Sequence, residues 1–270
     1  MARPYKSIQR KAQQERGRAP DAWHARIPGS TTRRYNEPLE VAGDAVVLGD
    51  IHCPFHDAAW MDQVINLSLK RGVKQAIIAG DLADFNAFST FGRDVGIDAD
   101  AEIDALSEMV DALCKCFERV YYFAGNHDVR PIRALRDAGL SMHTVMRMFA
   151  PRPDDKTFFV SDYHWCRLTS GGATWQVEHP KNASINATIV PKRLATKYGC
   201  NVIGTHGHVW GMTRDDSGRY FAIDSGMMAD PVRMGYCQLV HNARPMMMQG
   251  AVLVIDGAPL LVSPETIAMY

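Results

Sequence analysis

The sequence predicts an α/β fold, an αββα sandwich in which two mixed sheets lie between helices. In the first half, short apolar runs alternate with amphipathic helical runs, the pattern of a parallel sheet with crossover helices. After Pro153 the apolar runs are shorter and separated by turn signals, which predicts a second, largely antiparallel sheet. Several runs end in Asp, Asn or His, so we expect a polar site at the carboxyl ends of the strands.

The first half contains three predicted strands and the helices that connect them. The strands are Val41–Leu48, Gln75–Ala79 and Arg119–Phe123. The helices are Ala58–Lys70, Asp98–Phe117 and a segment around Pro131–Phe149. A strand–helix–strand order requires a right-handed crossover and a parallel pair. The segment Phe85–Gly96 is predicted to be a loop with exposed aromatic side chains.

The second half shows the signals of hairpins. Strands are predicted at 158–160, 163–168 and 174–178, and hairpin turns at Gly171-Gly172 and Asp216–Gly218. A helix over Ile189–Tyr198, ended by Gly199, precedes a strand that ends at His206. The remainder, through Val262, is predicted to form further hairpins.

Composition indicates an ordinary globular protein. The chain has 270 residues, of which 46% are hydrophobic and 22% charged. No apolar run approaches the ~20 residues of a membrane span, and the first residues lack the apolar core of a signal peptide. The six cysteines are scattered, with only Cys114 and Cys116 close together. This pattern predicts reduced thiols and a cytoplasmic location without a membrane partner.

Charge divides the chain into two predicted parts, a basic arm over residues 1–40 and a compact domain over 41–270. The arm carries nine Lys or Arg and four Asp or Glu residues, whereas the rest carries 21 basic and 26 acidic residues. The arm is predicted to be a weakly ordered or surface-draped tail. The alternative is an arm that contacts DNA or RNA.

Candidate metal ligands follow five predicted strands. Asp50 and His52 follow the first strand, Asp81 the second, and Asn126 the third. The others are His179, His206 and His208. Seven ligands are too many for one ion and about right for two, with Asp81 the natural bridge. A mixture of nitrogen and oxygen donors without cysteine favours Mn, Fe or Zn over Ca.

The motifs at these strand ends resemble those of the calcineurin-like metallophosphoesterases. They are Asp50-Ile-His52, Gly80-Asp81-Leu-Ala-Asp84, Gly125-Asn126-His127-Asp128, His179 and His206-Gly-His208. The resemblance covers about residues 41–262. It implies an αββα sandwich, two divalent ions and hydrolysis of a phosphate ester. Mn is the favoured metal, with Fe, Zn and Ni as alternatives.

The resemblance also implies a role for each residue. One ion is implied to bind Asp50, His52, Asp81 and His208. The other is implied to bind Asp81, Asn126, His179 and His206. His127 is then a catalytic residue that stabilises or protonates the leaving oxygen, oriented by Asp84. The alternative for Asp84 is a cap of the following turn.

Two differences separate this sequence from the protein Ser/Thr phosphatases of the family. Phe85 stands where they carry a phosphate-binding Arg, and Asp128 where they tend to have Glu. Both differences favour the nuclease and phosphodiesterase branches. Arg130 is the candidate substrate-binding replacement, with a plain surface role as the alternative.

Three functions are compatible with these patterns. A metal-dependent phosphodiesterase or nuclease is favoured. A phosphomonoesterase acting on phosphoproteins or small phosphates is the alternative, because the same metal site would support it. A non-catalytic metal-binding scaffold is the third, and the complete ligand set counts against it.

Overall fold

The computed structural model describes residues 38–89, 98–134, 142–149, 157–234 and 247–270. All of them belong to the unit Glu37–Tyr270, whereas the unit Met1–Asn36 lies outside the described residues. The predicted arm is therefore described only at its last three residues, 38–40. Leu39 and Glu40, which we assigned to the arm, lie in the first strand.

The described residues form twelve strands and five α-helices. The strands are β1 (Leu39–Ala42), β2 (Ala45–Leu48), β3 (Gln75–Ala79), β4 (Arg119–Phe123), β5 (Phe158–Ser161), β6 (Trp165–Ser170), β7 (Ala173–Glu178), β8 (Asn201–Gly204), β9 (Trp210–Arg214), β10 (Phe221–Ser225), β11 (Ala251–Ile255) and β12 (Ala258–Val262). The helices are α1 (Ala58–Lys70), α2 (Ala99–Cys116), α3 (Arg130–Ala134), α4 (Met142–Phe149) and α5 (Ile189–Tyr198). Short 3₁₀ helices cover Asn86–Phe88 and Ile267–Met269.

The strands form two six-stranded mixed sheets, as predicted. The first sheet has the order β12-β11-β2-β3-β4-β5, and β2 to β5 are parallel. The second has the order β1-β6-β7-β8-β10-β9. The prediction that the second sheet is largely antiparallel was wrong, because β1–β6, β7–β8 and β8–β10 are parallel pairs. Helix α5 is the crossover that makes β7 and β8 parallel.

Three apolar segments lie in different positions from those predicted. The predicted strand Val41–Leu48 is interrupted at Gly43, and its two parts, β1 and β2, lie in different sheets. Strand β5 was predicted in the second sheet, but it pairs with β4 in the first sheet. The β11–β12 hairpin also joins the first sheet, through β2. An apolar run shows that a strand is buried but not which sheet it joins.

The core has two main layers. Side chains from both sheets meet in one layer, which includes Val47, Phe123 and Trp175. The other layer packs α1 and α2 against the outer face of the first sheet through residues such as Trp60 and Leu106. These apolar layers fix the relative positions of strand ends in both sheets.

The segment after β3 differs from its prediction. Phe85 is buried, with 1% of its surface exposed, and its ring makes an edge contact with Phe88. Within the described part of Phe85–Gly96, the prediction that the aromatic side chains are exposed was thus wrong for Phe85; residues 90–97 lie outside the described residues.

No helix in the described ranges is both long and apolar enough to cross a membrane.

Candidate metal centre

The structure brings the candidate residues of both sheets to one edge. Asp50 and His52 follow β2, Asp81 follows β3, and Asn126 follows β4 in the first sheet. From the second sheet, His179 follows β7, and His206 and His208 follow β8. The polar side chains meet because the carboxyl ends of β2, β3, β4, β7 and β8 lie at a common edge.

The backbone at this edge is strained. Five candidate residues have left-handed backbone conformations, with φ between 48° and 74°. They are Asp50, His52, Asp81, His206 and His208. Such conformations cost of order 1–3 kcal/mol each in residues other than glycine, and they cluster at functional sites. The turns therefore aim these side chains into the site at a cost in stability.

One group of ligands is centred on Asp50. Its Oδ1 lies 3.3 Å from His208 Nε2 and 4.0 Å from His52 Nε2. The two Nε2 atoms are 3.3 Å apart. These three side chains present their donor atoms to a common point, where one cation would fit.

A second group is centred on His179. Its Nε2 lies 3.0 Å from Asn126 Oδ1 and 3.4 Å from Asp81 Oδ2. His206 adds a ring nitrogen to the same cluster with Asp81 and His179. This group offers two oxygens and two imidazole nitrogens.

Asp81 lies between the two groups. Its Oδ1 accepts the backbone N–H of His127 at 2.8 Å. Its Oδ2 lies 3.4 Å from His179 Nε2 and 4.0 Å from His52 Nε2. One carboxylate oxygen thus faces both groups, as a bridging ligand must.

The donor atoms fit divalent cations. Asp50 Oδ2 accepts the backbone N–H of His206, whereas the buried Oδ1 makes no hydrogen bond of normal geometry with any residue that the structure describes. His179 Nδ1 lies 3.2 Å from the carbonyl oxygen of Ala79. Since a carbonyl only accepts, Nδ1 carries the proton and Nε2 keeps a lone pair for a metal.

The pKa shifts favour the protonation states that metal binding requires. Burial raises the pKa of Asp50, but His208 and the other imidazoles outweigh burial and hold that pKa well below its usual range. The pKa of Asp81 is lowered in the same way, chiefly by His179, against the effect of burial. Burial lowers the pKa of His52 and His206. Ionised carboxylates and neutral imidazoles are metal ligands.

A second constellation surrounds Asp84. Its Oδ1 lies 2.8 Å from His127 Nδ1 and 3.0 Å from His52 Nδ1. The carboxylate therefore holds two imidazoles at once. Burial lowers the pKa of His127, but Asp81 and Asp84 outweigh burial, and the net pKa is raised. His127 thus holds a proton more readily than His52 and His206, whose pKa values are lowered, and a group that protonates a leaving oxygen requires this.

Arg130 belongs to this constellation. Its guanidinium donates to the carbonyl oxygen of Asp84 at 2.8 Å and lies 3.2 Å from His127 Nε2. Only 14% of its side chain is exposed. Arg130 is therefore largely enclosed beside His127 and Asp84, and its role in binding substrate stays a prediction.

The supporting roles of two residues were not predicted from the sequence. Thr205 donates to the Ala79 carbonyl oxygen and lies 2.9 Å from His179 Nδ1. Asp128 accepts the backbone N–H groups of Ala83 and Gly125, and burial, followed by Asp81, raises its pKa to about 6. Only the position of Asp128 in the Gly-Asn-His-Asp motif could have indicated its role.

Gly80 and Gly125 allow the two groups to approach. A Cβ at Gly80 would lie 2.4 Å from His179 Nδ1, and Gly80 also has a φ of +78°. A Cβ at Gly125 would lie 2.2 Å from Asp81 Oδ1. Neither position has room for a side chain, which explains the glycine of each motif.

A comparison with protein families decides the family. The family model described as calcineurin-like phosphoesterase matches residues 45–215. The matched region is more than half of the chain and contains all the candidate ligands. The chain belongs to the calcineurin-like phosphoesterase family. The resemblance inferred from the motifs is confirmed. Proteins of this family bind divalent metals.

Solved structures give weaker similarities. The vacuolar protein sorting 29 of Cryptosporidium parvum is 12% identical with a TM-score of 0.41, over 82% of this chain and 95% of that chain. The phosphoesterase Yfce of E. coli is 15% identical with a TM-score of 0.40, over 82% and 98%. Vps29 of Chaetomium thermophilum is 11% identical with a TM-score of 0.43, over 78% and 83%. No curated protein matches the sequence. At these TM-scores the similarities carry no argument about activity.

Proposed function

We propose that this protein is a metal-dependent phosphodiesterase with a dinuclear centre. The observation that supports the proposal most is the position of Asp81, whose Oδ2 faces His52 on one side and His179 on the other. Each side has enough donors for one ion. A scaffold that had lost catalysis would be under no pressure to keep both sets complete.

The ligand roles follow from the two groups. Asp50, His52, Asp81 and His208 would hold one ion, and Asp81, Asn126, His179 and His206 the other. Bound ions of this kind acidify a water molecule and neutralise the charge on a phosphate. Mn is proposed because hard carboxylate and amide oxygens accompany the imidazoles, with Fe, Zn and Ni as alternatives.

The remaining residues would serve the leaving group. A water molecule releases a proton to the solvent, its oxygen bonds to phosphorus, and the bond from phosphorus to the leaving oxygen breaks with its electron pair. His127 is proposed to donate the proton that this oxygen needs, and Asp84 to hold the His127 ring in place. Arg130, next to His127, is proposed to bind a phosphate oxygen.

Two features bear on the choice between diester and monoester. Phe85, which occupies the position of the phosphatase Arg, is buried and offers no charge. That favours a diester, which carries one negative charge fewer than a monoester dianion. Arg130 favours the second candidate, a phosphomonoesterase, because its guanidinium could balance the additional charge. A nuclease that uses the basic arm to contact DNA or RNA stays a prediction.

Hydrolysis of two chromogenic esters by the full-length chain tests the proposal. After removal of metals, Mn²⁺ is added and kcat/KM is measured for bis-p-nitrophenyl phosphate and p-nitrophenyl phosphate. We expect the diester to be hydrolysed faster. The variant Asp81→Asn is the control that measures background hydrolysis. Faster hydrolysis of the monoester would support the phosphomonoesterase. Binding of two ions without turnover of either ester, with Mn, Fe, Zn or Ni, would support the scaffold.

A further inference from the structure

A cavity of about 320 Å³ opens directly beside the candidate metal centre. Its polar side is formed by Asp81, His127, His206 and His208. This volume is at the lower end of the range for small-molecule sites, about 300–1,000 Å³. Since His127 lines the cavity, a group that leaves towards His127 would enter this space.

The cavity also has an apolar lining. It comes from Ala183 and Ile185, in the loop between β7 and α5, and from Met247. Ile185 has 68% of its surface exposed. Ile185 therefore has apolar surface available to a ligand that enters the cavity.

The loop that carries Ile185 is held in place. Ser184 Oγ accepts the backbone N–H of Asn186 at 3.1 Å, and Oδ2 of the buried Asp224 accepts the N–H of Thr188. A Cβ at Gly211 would lie 3.2 Å from Ala187 Cβ, so a side chain there would crowd the loop. The apolar wall is thus preorganised, which lowers the entropic cost of binding a ligand.

Charge in the cavity disfavours a polymer. Of the described residues that line it, none is Lys or Arg. Proteins that bind nucleic acids use such cations to contact successive phosphates. A small ester needs only the metal centre and Arg130 for its one phosphate.

We propose that this cavity selects a small phosphate ester with an apolar aromatic leaving group, which packs against Ile185 and Met247. The proposal depends on the proposed function, because the metal centre must hold the phosphate. It makes Ile185 a residue that determines specificity, and it places the aromatic ring next to His127.

Binding of two phosphonic acids tests the cavity independently of turnover. Phenylphosphonic and 2-naphthylphosphonic acid share the anionic group but differ in aromatic area, and their P–C bonds are not hydrolysed. Calorimetry with the Mn²⁺-loaded full-length chain should show roughly fivefold to tenfold tighter binding of the naphthyl compound, the usual effect of burying one further ring edge. Equal affinities would overturn the proposal.

Substitutions at Ile185 show whether this residue is the cause. Ile185→Ser should reduce the naphthyl preference to about twofold or less, whereas Ile185→Leu should retain most of it. Met269→Ser is the matched control, because Met269 is a similarly exposed apolar residue, with 77% of its surface exposed, in the C-terminal 3₁₀ helix. An unchanged preference in Ile185→Ser, with unchanged metal content, would overturn the assignment.

Hydrolysis separates this inference from the proposed function. Methyl phenyl phosphate and methyl 2-naphthyl phosphate, both diesters, have aromatic leaving groups of similar acidity, so their kcat/KM ratio should follow the same preference. Selective binding of the phosphonic acid without hydrolysis of either ester would support the cavity and contradict the proposed function. Hydrolysis without a naphthyl preference, together with competitive inhibition by a DNA or RNA oligonucleotide, would support the polymer and contradict the cavity.

Discussion

The two sheets contribute different chemistry to the same site. From the first sheet come both carboxylates, an amide and one imidazole, that of His52, and Asp50 and Asp81 are almost completely buried. The second sheet contributes imidazoles, of which His206 and His208 also line the open cavity. The first sheet therefore supplies most of the negative charge that attracts cations. The second supplies imidazole nitrogens and, through the loop after β7, apolar side chains that would face a substrate.

This comparison predicts that a change in the first sheet has the larger effect. Asp81→Asn removes the charge that faces both groups, so we expect both ions to be lost and turnover to fall to background. His179→Ala, in the second sheet, should weaken one ion and leave the other in place. Elemental analysis of metal-replete protein measures both. A wild-type chain that holds one ion would contradict the dinuclear assignment.

His127 is an exception, because it lies at a strand end of the first sheet but is not proposed to be a metal ligand. It follows β4, and its ring contacts Asp84. His127→Asn should retain both ions and slow turnover by ~10²–10⁴-fold, the usual contribution of one positioned acid.

A substrate series sharpens this prediction. Esters with acidic leaving groups need little protonation, so the loss in His127→Asn should shrink as the leaving-group pKa falls. His52→Ala is the contrasting variant, since it should reduce metal content. An equal loss for every ester, or loss of an ion, would place His127 among the ligands.

The smallest effect on metal content and turnover is expected at Asp224, a buried carboxyl group of the second sheet that lies outside the candidate ligand set. Burial raises its pKa to about 7 from 3.8. The folded protein therefore keeps this proton at pH values where the unfolded chain has released it. The contribution to stability is complete below about pH 4 and is lost as the pH rises to about 7.

Asp224→Asn should remove this dependence while keeping an oxygen for the Thr188 N–H. The wild type should lose up to about 4 kcal/mol of unfolding free energy relative to the variant between pH 4 and 7.5. Urea denaturation of the metal-free proteins measures the difference. Asp216→Asn, at an exposed position that pairs with Lys192, controls for the change in charge. A constant difference across this range would show that Asp224 is ionised in the fold.

The sequence by itself determined the candidate ligands and the position of each at a strand end. Motifs such as Gly80-Asp81 are local. The carboxyl ends of parallel strands meet at one edge of a sheet regardless of the order of the strands. The helices α1, α2 and α5 were likewise predicted within one residue, because apolar periodicity and end signals such as Gly199 are local.

Only the tertiary structure decided which strands share a sheet and which side chains share a partner. An apolar run such as β5 is equally buried in either sheet, so its sequence does not select one. Asp84 contacts His52, 32 positions away, and Arg130, 46 positions away. The wall at Ile185 depends on a loop whose position is set by packing against Gly211 and by Asp224. Contacts between distant residues form only when the core brings the strands together, and no local pattern encodes them.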